Sequence, residues 1–331
     1  MQVLLTGANG FVGSHILDRL RAEGHGVTTL LRPGSDRRFI ASQLNSVTVC
    51  EGSISDPDAL DRALVGATHV IHCAGATRAL GARGFFEANE TGTRYVVEAI
   101  NRHGGIRRLV HISSLAAVGS ATRDRPLTER DPPRPRSTYG RSKLAAEQQV
   151  RERCRTEFTI LRPPAVYGPR DAEFLRLFKA VRTGFMPVFG DGGQVLHFVY
   201  VTDLAHAAVH CLSAPGAARQ TFFVAEATRV TSREFVDRVA GVLGRRARVL
   251  RIPLWFLYAL CVGQDVASQV TRRASVLSRH KFGEFQAEAL TCDSTPLRAL
   301  TGFSCATDLT TGLTRTLEWY RGQGWILQNS E

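Results

Sequence analysis

Three glycines, each separated from the next by two residues, stand near the start of the chain in the run Thr6-Gly7-Ala8-Asn9-Gly10-Phe11-Val12-Gly13. Residues 3–6 before them form a short apolar run, and residues 11–23 after them place apolar side chains with a helical period. A strand, a glycine-rich turn and a helix in so short a span leave few folds open. Gly7 permits a tight turn, Gly10 lets the backbone approach a pyrophosphate, and Gly13 lets the helix pack closely on the strand. The helix N-terminus adds free amide donors and the positive end of its dipole. The spacing predicts a dinucleotide site built from Gly7, Asn9, Gly10, Phe11, Val12 and Gly13.

The alternation continues. Residues 27–31, 47–50, 70–73, 109–113 and 159–162 read as strands, and 57–64, 85–103 and 140–155 as helices. This is the pattern of an α/β chain with a doubly wound parallel sheet, a Rossmann fold. After Pro169 the pattern loosens. Asp191-Gly192-Gly193 marks a turn, 195–201 a strand, 203–213 a helix, and 222–225 a return to the main sheet; beyond Thr231 the chain reads as mostly helical. The expected division is a dinucleotide-binding domain over 1–168, with 195–225 returning to it, and a smaller, mostly helical substrate lobe from 169–194 and 226–331.

Composition narrows the partners. The net charge of +12 is nearly all arginine, scattered without long basic runs, so no nucleic-acid partner is expected. Seven cysteines, an odd number with no Cys-x-x-Cys pair, read as reduced thiols of a cytoplasmic protein. His206, His210 and Cys211 share a helix face but lack a further ligand, so no metal is expected. The first apolar strand has no basic stretch before it, which argues against a secretory signal. The longest apolar stretch, 252–263, is too short to span a bilayer. A buried helix is the favoured reading of it; lining of an apolar pocket or contact with a membrane surface is the alternative.

The end of the second strand selects among dinucleotides. A carboxylate there would hold the ribose hydroxyls of NAD, whereas a guanidinium suits a 2′-phosphate. The chain reads Leu30-Leu31-Arg32-Pro33-Gly34-Ser35, with no carboxylate before Asp36, so Arg32 points to NADP(H) over NAD(H).

Only three lysines occur, at 143, 179 and 281. Lys143 follows Tyr139 by four residues, one helical turn away on the same face. A phenol beside a fixed ammonium is a general acid/base whose phenolate the charge stabilises.

In order along the chain, the glycine loop, His72-Cys73-Ala74-Gly75, Asn89-Glu90-Thr91-Gly92-Thr93, Ile112-Ser113-Ser114, Tyr139-x-x-x-Lys143 and Arg162-Pro163-Pro164-Ala165-Val166-Tyr167-Gly168-Pro169 resemble the extended short-chain dehydrogenases/reductases, which include epimerases/dehydratases and 3β-hydroxysteroid-dehydrogenase-like members. The resemblance is densest over residues 1–212. It implies hydride transfer with Tyr139 as acid/base, Lys143 on the nicotinamide ribose, and Ser114 on the substrate oxygen, with Ser113 as the alternative serine. It also implies cofactor contacts from Cys73, Ala74, Gly75, Asn89, Pro163 and Val166, and adenine contacts from Ser53 and Ile54. Thr77, Ser114, Ala116 and His197 are expected at the substrate. Helices 85–103 and 140–155 pair across a two-fold in many such proteins, which implies a homodimer. The Pro- and Arg-rich stretch 121–138 is either a lid or a surface connection.

Within this family, nucleotide-sugar enzymes typically carry Arg-Asp just before Phe-Val-Tyr-Val; this chain has Leu196-His197 there. A leucine cannot neutralise a diphosphate, although Arg176 or Arg229 could substitute. The apolar, aromatic segment 252–260 also resembles the corresponding segment of hydroxysteroid-dehydrogenase-like members. The expected activity is NADP(H)-dependent interconversion of a ketone and a secondary alcohol on an apolar steroid-, polyketide-, lipid- or aromatic-like molecule. A nucleotide-sugar epimerase or dehydratase is the alternative.

Overall fold

The computed structural model describes residues 1–246, 248–271 and 278–326, without the side chains of 269 and 270. Parts of the lobe expected over 226–331, namely 247, 272–277 and 327–331, lie outside the described residues.

The first half alternates as the sequence predicts: β1 (Gln2–Thr6), α1 (Phe11–Ala22), β2 (Gly26–Leu31), β3 (Thr48–Glu51), α2 (Pro57–Leu64), β4 (His69–His72), α3 (Ala82–Phe86), α4 (Gly92–His103), β5 (Arg108–Ile112), α5 (Thr138–Arg153) and β6 (Glu157–Arg162). Local chemistry starts the helices. The Asp56 carboxylate accepts from the Ala59 amide and Pro57 occupies the first turn of α2, while the Ser137 hydroxyl accepts from the Gly140 amide to open α5. The helix predicted over 85–103 is interrupted by a π turn at Glu87–Thr91 that joins α3 to α4 and buries Asn89.

The second half adds β7 (Ala165–Tyr167), α6 (Ala172–Arg182), β8 (Phe185–Phe189), β9 (Val195–Tyr200), α7 (Val201–His210), β10 (Gln220–Phe223), β11 (Arg229–Thr231), α8 (Ser232–Val242), β12 (Arg248–Ile252), α9 (Leu254–Thr271), α10 (Arg279–Phe285), β13 (Ala289–Leu290), α11 (Thr295–Thr301) and α12 (Leu309–Gly322). The main sheet is parallel in the order β10-β6-β5-β4-β1-β2-β3. The connection reverses direction between β1 and β4, and that switch point opens a crevice at the carboxyl ends of the strands. Both faces are covered, as parallel strands require. One face packs Leu5, Ile16, Leu20, Ala208 and Phe222 under α1 and α7; the other packs Leu60, Val96, Val97, Val150 and Ile160 under α2, α4 and α5.

Of the segment 195–225, α7 and β10 join this body, but β9 does not. It sits in a smaller sheet with β11, β13 and β7, where Phe198 stacks on Phe235 at 4.3 Å. β12 pairs in parallel with β8, a strand that the mostly helical reading of the region omits. Stretch 121–138 is pinned, not free: the amides of Ala121 and Leu127 donate to the carbonyls of Ala289 and Thr291, each at 3.0 Å. The stretch 252–263 is not buried as expected. Leu257 and Cys261 are enclosed, while Trp255, Phe256, Tyr258 and Leu260 are exposed. No helix among the described residues is long and apolar enough to cross a membrane.

Candidate active site

A cavity of about 1010 Å³ runs from the glycine loop along the carboxyl edge of the sheet to α10. Its floor explains the glycine spacing. Gly7 takes φ +76°, and a Cβ there would lie 2.7 Å from the Ala74 amide nitrogen. A Cβ on Gly13 would lie 2.0 Å from the Gly7 carbonyl oxygen, so α1 touches the turn that follows β1 through this residue. Gly10 lines the cavity, and its Cβ would meet only the Gly7 oxygen, at 3.3 Å. The loop is thus closed on its protein side and open on its cavity side, beneath the amino end of α1. A dinucleotide pyrophosphate fits that shape and polarity.

Tyr139 and Lys143 occupy successive turns of α5 and both line the cavity. The Lys143 amine donates to the Ile112 carbonyl at the end of β5, at 2.7 Å. Burial pushes its pKa down to about 8. Burial raises the pKa of the Tyr139 phenol, and the nearby Ser114 side chain works in the opposite direction. Ser114 begins a short 3-10 turn after β5, its hydroxyl accepting from the Ala116 amide at 3.2 Å. The neighbouring Ser113 faces the other way and donates to Glu147 at 2.6 Å. Glu147 is fully buried and takes two further bonds from Arg162, at 2.8 and 2.6 Å. Arg162 therefore clamps β6 to α5.

Asn89 works on the loop after β4. It accepts from the Ala76 amide at 2.8 Å and donates to the Ala76 carbonyl at 3.1 Å and the Ser142 hydroxyl at 2.8 Å. Cys73 lines the cavity as a thiol whose pKa burial pushes up to about 12. His197 is buried at the other end. Its Nδ1 accepts from the Cys292 amide at 3.4 Å, and Nε2 has no protein partner among the described residues. Burial, with Arg229 nearby, lowers its pKa to about 4, so the ring is neutral.

The cavity brings together every residue expected at the cofactor and substrate except four. Arg32 is exposed beyond β2, where Pro33 and Gly34 turn the chain and the Ser35 amide donates to the Arg32 carbonyl, and it is not among the residues that line the cavity. Asp36, Arg38 and Phe39 line the cavity instead, with Arg38 paired to Asp36 at 2.6 Å and the Asn9 amide donating to the Asp36 carbonyl at 2.9 Å. Ser53 bonds Ser55 at 2.9 Å outside the lining, Ile54 packs against Gly92, and Ala74 presents backbone to Gly7. The sequence reading missed Lys281 and Glu284, which α10 places in the wall. The Lys281 amine lies 4.9 Å from the Tyr139 ring centroid, and Glu284 accepts from Ser137 at 2.6 Å. The scarcity of lysine was the available signal; nothing local connects Lys281 to Tyr139. His206 and His210 are apart in their contacts, meeting Arg19 at 3.3 Å and the Thr301 carbonyl at 2.9 Å.

Residues 3–225 match the family described as "NAD dependent epimerase/dehydratase family". A ceramide reductase of Caulobacter vibrioides is 32% identical over 328 residues, covering 99% of this chain and 96% of that protein. A 2-alkyl-3-oxoalkanoate reductase of Stenotrophomonas maltophilia is 29% identical over 260 residues, covering 74% and 76%. The solved structure of MoeE5 in complex with UDP-glucuronic acid and NAD superposes with a TM-score of 0.77 at 26% identity, covering 98% of this chain and all of that one. With the glycine loop, the serine and the Tyr–Lys pair gathered around one crevice, these likenesses establish that the chain belongs to the NAD dependent epimerase/dehydratase family, within the extended short-chain dehydrogenases/reductases.

Proposed function

We propose that this oxidoreductase interconverts a ketone and a secondary alcohol on a lipid-like substrate, using NADP(H). The observation that carries the reading is the convergence of Tyr139, Ser114 and Lys143 on the cavity that the glycine loop also lines. Ser114 holds the substrate oxygen. Tyr139 donates its proton to that oxygen in reduction and takes it back in oxidation. Lys143, anchored by the Ile112 carbonyl, would hold a ribose hydroxyl of the bound dinucleotide, and its charge would favour the phenolate. The nicotinamide, when bound, supplies or accepts the hydride.

The cavity wall supports an apolar substrate. Leu196 lines it where nucleotide-sugar enzymes typically carry arginine, and neither Arg176 nor Arg229 reaches the lining. The arginines that do line it are paired with carboxylates: Arg38 with Asp36, Arg78 with Glu173 at 3.4 Å, and Arg170 with Asp18 at 2.8 Å. In this reading Arg38, which lines the cavity beyond the end of β2, would carry the NADP(H) preference. The ceramide and oxoalkanoate reductases support the ketone chemistry. A cytoplasmic setting is part of this reading, supported by seven free cysteines, and so is a homodimer through α4 and α5.

The test follows nucleotide absorbance during incubation with long-chain ketones. The reading expects NADPH to be consumed faster than NADH, with stoichiometric alcohol formed. The second reading, a nucleotide-sugar epimerase or dehydratase, has the UDP-sugar complex of MoeE5 in its favour. It expects turnover of a sugar nucleotide without net cofactor consumption, and that result, with no ketone reduced, would displace the first.

A further inference from the structure

Helix α9 is apolar on the side it turns outward. Trp255 is 73% exposed, Val266 59%, Tyr258 45%, Phe256 44% and Leu260 40%. Leu250, on the strand that feeds this helix, is 51% exposed. Eleven large hydrophobic side chains are exposed among the described residues, and these six fall within one stretch of seventeen positions, 250–266, so the exposure is concentrated and not scattered. Among the polar residues of the helix, Gln264 and Thr271 are exposed while two others turn inward. Ser268 is buried, and the Asp265 carboxylate is turned in to accept from Arg279 at 2.8 Å. An amphipathic helix on a water-facing surface has the opposite arrangement.

The surroundings are cationic. Between residues 245 and 281 the sequence carries eight lysines and arginines and a single acidic residue, Asp265, which is already paired with Arg279. Arg246, Arg248 and Arg251 are exposed beside the start of the helix. The apolar face also adjoins the cavity. Tyr258 packs edge-on to Phe282 of α10 at 5.0 Å, and α10 supplies Lys281 and Glu284 to the cavity wall.

We propose that the α9 face docks the protein on an anionic lipid bilayer, with Trp255, Phe256, Leu260 and Val266 entering the interface and the flanking arginines meeting acidic headgroups. Aromatic and aliphatic side chains framed by arginine are what a bilayer surface takes up: the apolar groups gain from the acyl boundary and the guanidinium groups from the surface potential. A second copy of the chain is a poor occupant, because a two-fold contact would set two cationic rims against each other. The proposal does not depend on the substrate class. It puts the mouth of the cavity one helix from the membrane.

The experiment is flotation of the full chain with vesicles of phosphatidylcholine alone or mixed with phosphatidylglycerol, run beside light scattering without vesicles. The expected result is binding to the mixed vesicles, at least tenfold weaker for phosphatidylcholine alone, and weakened severalfold by salt of roughly 0.5 M. Trp255→Glu/Phe256→Glu reduces it at least tenfold while leaving the thermal midpoint unchanged, since both side chains are exposed. Arg248→Ser/Arg251→Ser weakens it severalfold. No binding to mixed vesicles overturns the proposal, as does binding that the double glutamate variant leaves intact. A dimer that this variant converts to monomer, with no vesicle binding by the wild type, would assign the face to a second copy instead.

Discussion

The Ser113 hydroxyl donates to the Glu147 carboxylate at 2.6 Å, and this bond separates the roles of two adjacent serines. It fixes Ser113 to the buried Glu147–Arg162 pair and leaves Ser114 facing Tyr139. Ser114→Ala is therefore expected to lower turnover about 10²- to 10³-fold, the scale of one lost donor to a developing oxyanion, with little change in stability. Ser113→Ala is expected to do the reverse, costing about 1–3 kcal/mol of stability with turnover retained. Glu147→Ala leaves Arg162 charged and buried alone, a loss of about 3–5 kcal/mol. Denaturant titration beside steady-state assays separates the three.

Tyr139→Phe removes the proton donor and keeps the ring, so turnover falls about 10²- to 10⁴-fold while cofactor affinity, read by fluorescence titration, is maintained. Lys143 is a compact ammonium held by the Ile112 carbonyl, a geometry that a fork-shaped guanidinium does not reproduce, and Lys143→Arg is expected to be inactive. The pH dependence has a definite sign. With its pKa near 8 in the fold, Lys143 loses its charge as pH rises through 8, so cofactor affinity weakens above that pH; in Lys143→Met it stays flat.

The loop glycines separate folding from binding. Gly13→Ala drives a methyl group into the Gly7 carbonyl and costs stability and cofactor binding together. Gly10→Ala meets only one atom of the chain, so its thermal midpoint stays close to wild type while cofactor affinity drops. Calorimetry and fluorescence titration of both variants check the contrast.

Arg38, and not Arg32, is expected to govern dinucleotide choice. Arg38→Ala narrows the ratio of kcat/KM for NADPH over NADH by about tenfold or more, the value of one charge-assisted contact. Arg32→Ala leaves the ratio unchanged, because that side chain lies outside the cavity.

Glu226 supplies a stability test away from the cavity. Burial, with Asp308 adding to it, raises its pKa to about 7, so between its ordinary value and 7 the folded chain holds a proton that the unfolded chain has released. Wild-type stability from this group is lost as pH rises through 7. Glu226→Gln mimics the protonated acid, and its thermal midpoint is expected to exceed wild type at pH 8 and to match it near pH 5.

The readable parts of the site are those whose geometry is set by neighbours in sequence. Gly7, Gly10 and Gly13 act within one turn, and Tyr139 and Lys143 are one helical turn apart, so spacing alone specifies their relation. Arg32 is adjacent to β2 in sequence but lies outside the cavity lining, because the Pro33-Gly34 turn sends the chain around before Arg38 enters the cavity. Chain position did not reveal the direction of that turn.

Sequence alone determined the parallel sheet, the glycine loop between β1 and α1, and the one-turn spacing of Tyr139 and Lys143, because each follows from periodicity or from spacing over a few residues. Tertiary structure decided which serine faces Tyr139, that Lys281 lies over its ring, and that α9 turns its apolar side outward. Those outcomes rest on contacts between segments far apart in the chain, such as Ser113 with Glu147 and Asp265 with Arg279. Such contacts set which face of an element is buried, and hydrophobic periodicity alone could not show that α9 keeps its carboxylate inside and its tryptophan in solvent.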